Sequence, residues 1–62
     1  MTRRSKLKDE TVLAVAEIAS RLDSPFKARE ALREVANKHN EWHYAVRAAY
    51  RIERRKIEEG ST

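Results

Sequence analysis

The residues best placed to do chemistry in this 62-residue chain are Tyr44, Arg47, Arg51 and Arg55, which stand three, four and four apart. That spacing places side chains on one face of a helix. Arginine carries a permanent charge on a planar fork of donors, so a row of it suits an anionic polymer rather than a small apolar ligand. His43 and Arg54 flank the row. Other chemistries find little support. No nucleophile stands with a base, and Glu17, Asp23 and Glu53 show no pairing, so the chain reads as no enzyme. It has no Cys, which removes disulfides and thiolate metal sites. His39 and His43 are four apart, a ligand spacing on a continuous helix, but a turn between them would separate them and no third ligand is near. No metal and no other cofactor is expected.

The formal net charge is +4, and it is unevenly spread. Arg3, Arg4, Lys6 and Lys8 open the chain without an acid. Residues 9–23 then carry Asp9, Glu10, Glu17 and Asp23 against Arg21. Residues 24–40 are basic again, and the last third is mixed. A basic balance at this size suggests a polyanionic partner. The plainer reading is solubility, with Tyr44, Arg47 and Arg51 forming a solvated face held by cation–π contacts.

These side chains need elements to position them. One Gly and one Pro, with Ala, Leu, Glu, Lys and Arg dominant, read as an all-α chain. A single domain of this length buries only about 60% of its unfolded surface, so packing must be good. No apolar run approaches the roughly 18 residues of a membrane span, and no apolar segment follows the basic start, so no signal peptide is read. The expectation is a soluble protein, cytoplasmic if expressed in bacteria.

Leu7, Thr11, Ala14, Val15, Ile18 and Leu22 make one stripe, predicting helix 1 over about 5–22, with Val12, Ala16 and Ala19 widening it. Ser24-Pro25 is a helix start, Ser as N-cap and Pro as first helical residue. Helix 2 then runs over about 25–38, with Ala28, Ala31, Leu32, Val35 and Ala36 inward. At Lys38-His39-Asn40-Glu41 two readings stand. A continuous period through Leu32, Val35, His39, Trp42, Val46 and Ala49 allows one long helix to Glu58. A turn at Asn40, which tolerates the left-handed conformation, gives a third helix over about 41–58. The turn is favoured, because the long helix would exceed most in globular domains and lack partners. Trp42, Ala45, Val46, Ala49, Ile52 and Ile57 would be its buried side, with Trp42 a core plug. Residues 60–62 read as a tail.

The segment from Leu32 to Arg51 resembles a helix-turn-helix DNA-binding motif. That family shows an Ala in its first helix, a Gly four residues later and a Val or Ile six residues after that; here Ala36, Asn40 and Val46 hold those places. "AVRAAYR" is similar to the "TVSRAL" type of recognition helix. The likeness covers about a third of the chain and is short and degenerate. Asn40 replaces the usual Gly, and Glu41 stands where the family buries an apolar residue. A basic arm ahead of three helices is also similar to the homeodomain, but that family's last-helix signature is absent.

The resemblance implies a compact three-helix bundle that binds double-stranded DNA, its third helix in the major groove. His43, Tyr44, Arg47, Ala48 and Arg51 would meet base edges, Arg47 first. Arg3, Arg4, Lys6, Arg29, Arg33, Lys38 and Arg54 would meet phosphates. No membrane and no small-molecule substrate is implied, and the chain would act as a monomer or weak dimer. The Gly-Ser-Thr ending looks like an added remnant, so the chain reads as an engineered or de novo designed synthetic protein on this scaffold; Asn37, His39, Asn40 and His43 are not default surface choices and make it less idealised than a pure design. The competing reading is a three-helix protein-binding module, or a scaffold with no partner.

Overall fold

A computed structural model of the chain describes residues 7–60. It holds α1 (Asp9–Arg21), α2 (Pro25–Lys38) and α3 (His43–Gly60), each packed against the other two, with no strand among the described residues. The molecule is an all-α three-helix bundle.

Its core is small and assembled evenly. Val15 and Ala19 come from α1, Ala28, Leu32 and Ala36 from α2, and Val46 and Tyr50 from α3; Leu7, Ile18, Leu22, Val35 and Ala49 pack against them. Alanines at 19, 28 and 36 let the helix axes approach closely. Bulk is supplied by Tyr50, the largest fully buried side chain. Its phenolic oxygen donates to the Leu22 carbonyl at 2.7 Å, which satisfies the one polar atom the ring takes inside. Burial pushes the phenol's pKa up.

The expected core of α3 needs correcting. Trp42, Ile52 and Ile57 are exposed, Trp42 by 67%. The helix begins at His43, and Trp42 precedes it, its carbonyl accepting from Val46 N–H at 3.1 Å. Trp42 therefore lies ahead of the period that buries Val46, while Ala45, Val46 and Ala49 face inward as expected. At about 100° per residue, Tyr50 lies only about 40° from Val46 around the axis, whereas Ile52 lies about 120° away. Ile57 falls in the last turns of α3, which at 18 residues is longer than α1 (13) and α2 (14). Gly60, expected in the tail, is the last residue of that helix.

The two connections have distinct physical causes. Ser24 accepts from Phe26 N–H through Oγ at 3.2 Å, and Pro25 takes the first helical position, as the sequence predicts. At the second connection Asn40 has φ 57°, the only positive φ among the described non-glycine residues. Glu41 N–H donates to the Ala36 carbonyl at 2.8 Å and Asn40 N–H to the Asn37 carbonyl at 3.3 Å. This paired pattern around a left-handed residue is a Schellman motif, and it ends α2 without glycine. The single long helix is thereby excluded.

Helix α1 begins later than expected, at Asp9, and its N-cap Lys8 offers no side-chain cap. Glu41 supplies one from the α2–α3 turn. Its Oε2 accepts from Lys8 N–H at 3.0 Å and from Thr11 Oγ1 at 2.9 Å. Thr11 occupies the position where a capping box carries its own Glu or Gln, so the acid that closes this box comes from another part of the chain. Thr11 is fully buried, and this bond satisfies its hydroxyl. Lys8 Nζ also donates to the His39 carbonyl at 3.0 Å, and His39 Nδ1 lies 3.7 Å from Glu10 Oε1.

Candidate nucleic-acid interface

Helix α3 has two faces set by one period. Val46 and Tyr50 point into the core. On the far side, Tyr44, Arg47, Ala48, Arg51, Ile52 and Arg55 line a shallow trough. All six belong to α3, so the trough is the space between long side chains on one helix and not an enclosed pocket. Each is exposed, and the trough carries three guanidinium groups without a carboxylate. Four of the five residues expected at base edges, Tyr44, Arg47, Ala48 and Arg51, therefore lie together on open surface. His43 does not join them. It is half-buried, and its Nε2 is enclosed without a hydrogen-bond partner.

The residues expected on phosphates divide differently. Arg29 and Arg33 are exposed one turn apart on α2, and Lys38 is exposed at that helix's last turn. Arg3, Arg4 and Lys6 lie outside the described residues. Arg54 turns to α1. Its Nη1 donates to the Ala19 carbonyl at 2.7 Å, and its Nη2 lies 3.4 Å from Glu58 Oε2. Ala19 is in the last turn of α1, where carbonyls lack partners within the helix and the dipole favours a cation. Tyr50 supplies a second donor to this end through Leu22, so residues one turn apart on α3 close the C-terminal end of α1.

Sequence reasoning missed Tyr50 as a core residue and Glu41 as a cap. A signal for Tyr50 was present: it follows Val46 by four residues, as Val46 follows Trp42. For Glu41 there was no local signal, because its partners Lys8 and Thr11 are thirty or more residues away. The hydrogen bond from Lys8 N–H holds the Glu41 carboxyl below its usual range, helped by the Thr11 hydroxyl and by the Lys8 and His39 charges, against partial desolvation.

Trp42 and Tyr44 form an edge-to-face pair, centroids 5.5 Å apart and planes at 79°. The pair sits where α3 begins, and Tyr44 belongs both to it and to the trough. Comparison of the chain with protein-family models, characterised proteins and solved structures gives no match. The function must therefore be argued from the geometry alone.

Proposed function

We propose that this domain binds double-stranded DNA as a helix-turn-helix module, with α3 lying in the major groove. The observation that carries the reading is the exposed row of Tyr44, Arg47, Ala48 and Arg51 on one face of α3. In support, Ala36 is buried, Asn40 takes the left-handed conformation and Val46 is fully buried. Those are the three physical roles that the motif's small, turn and apolar positions require. Arg47 and Arg51 would donate to guanine edges and Ala48 would allow close approach or meet a thymine methyl. Arg29, Arg33 and Lys38, with Arg3, Arg4 and Lys6, would meet phosphates and fix the register. Arg54 is best left out of that set, since its guanidinium is committed to α1.

Fluorescence anisotropy against a randomised duplex pool, with sequencing of the bound fraction, tests the reading. The expected result is enrichment of a short motif and an affinity that falls log-linearly with salt. Absence of binding at low salt would overturn it.

A second reading, a protein-binding module, is favoured by a different observation. Phe26 (80%) and Leu13 (69%) are large apolar side chains left outside, as an anchor for a partner would be. Phe26→Ser and Leu13→Ser separate the two: they leave DNA affinity unchanged under the first reading and abolish partner capture under the second. No helix among the described residues is long and apolar enough to cross a membrane.

A further inference from the structure

The core is poor in large side chains, yet the chain's one Trp lies outside it. Trp42 and Tyr44 are 67% and 69% exposed. Their edge-to-face contact orients both rings, and a perpendicular pair cannot cover both of a ring's faces, so open π surface remains. Through Tyr44 this corner is continuous with Arg47 and Arg51 along α3. Aromatic rings leading into a cationic track are the two parts that bind an unpaired nucleotide: a base stacks, and the neighbouring phosphates meet the cations.

We propose that the Trp42–Tyr44 corner stacks an unpaired base of a single-stranded nucleic acid, with Arg47 and Arg51 on the adjoining phosphates. The domain would thus bind single strands as well as duplexes. The inference does not require groove reading. It uses ring faces, which every base matches, rather than base edges, so it implies little sequence preference.

Trp42 is its own reporter, being the only Trp. Titrating the protein with a short thymidylate oligomer should quench its fluorescence, while an abasic oligomer of the same length should not. Trp42→Ala should weaken oligothymidylate binding roughly 5- to 150-fold and blunt-duplex affinity much less, through the loosened Tyr44 ring alone. Trp42→Phe should recover part of the loss. Circular dichroism should show all three proteins equally helical, as expected for an exposed side chain. Absence of quenching at low salt would overturn the proposal. Equal losses for single strand and duplex on Trp42→Ala would also overturn it, by making Trp42 a general contact. The duplex arm reads the groove-binding proposal separately, so either can fail alone.

Discussion

Arg51 and Arg54 are the same residue type three positions apart on one helix, and they do unrelated work. Arg51 stands on the open face of α3 among like charges. Arg54 reaches α1 and donates to the Ala19 carbonyl at 2.7 Å. A turn of about 100° per residue separates the two tasks. The contrast teaches that charge composition says nothing about which cations are free for a partner. The helix phase decides that, and the phase is fixed by which apolar residue is buried. Once Tyr50 rather than Trp42 or Ile52 is inside, Arg54 must follow it toward α1 and Arg51 must face out.

The largest effect should come from breaking the inner face at its anchor. Tyr50→Ala removes a buried aromatic ring, a change that costs about 3–5 kcal/mol. A domain this small has little more than that in total, roughly 3–5 kcal/mol. Far-UV circular dichroism should therefore show the variant largely unfolded at room temperature. A cooperative melt close to wild type would mean that Tyr50 does not set the phase of α3.

Next comes the paired test of the two arginines. Arg54→Met leaves the Ala19 carbonyl without its donor and should cost about 1–3 kcal/mol of stability. It should leave the salt dependence of DNA binding unchanged. Arg51→Met should do the opposite, melting like wild type while costing about 1–3 kcal/mol of binding at the preferred site. If both variants weaken binding equally and neither melts early, the division between the faces fails.

A smaller and more selective effect is expected at Arg47. Arg47→Ala should change stability by no more than about 0.5 kcal/mol, as for most exposed substitutions. It should cost about 1–3 kcal/mol in binding at the preferred site while leaving other sequences nearly unaffected. A uniform loss across all sequences would assign Arg47 to phosphate rather than base.

How much of this was legible beforehand depended on distance along the chain. Ser24-Pro25 could be read because a cap and its helix are neighbours. Asn40 could be read because turn chemistry is local, and its left-handed φ is the state its side chain tolerates. The outward row could be read because Tyr44, Arg47 and Arg51 obey one period inside one helix. What failed in α3 was its start, which put Trp42 in the core, and its phase, because Ile52 was taken inward in place of Tyr50, the residue one turn after Val46. What could not be read at all were groups brought together by tertiary packing. Glu41 looked like a misfit at an apolar position until Lys8 and Thr11 were seen beside it. Arg54 looked like a surface cation for the same reason.

The smallest effect separates the two ends of α1, which are closed by different chemistry. At the C-terminal end the donors are the Arg54 guanidinium and the Tyr50 phenol, whose pKa burial pushes up. At the N-terminal end the acceptor is the Glu41 carboxylate, whose pKa is lowered in the folded state from its ordinary value of 4.5, chiefly by the Lys8 N–H bond. A carboxyl with a lowered folded pKa contributes stability that is fully present above 4.5 and is lost as the pH falls below it, through the folded pKa. Glu41→Gln keeps the shape and removes that charge. It should melt below wild type at neutral pH, and the gap should close as the pH drops through and beneath 4.5. The difference between the two proteins reports on Glu41. A gap that stays constant with pH would mean that the Lys8 and Thr11 bonds hold α1 through hydrogen-bond geometry alone. An absent gap would mean that Asp9 and Glu10, already in the first turn of α1, stabilise that end without help from the α2–α3 turn.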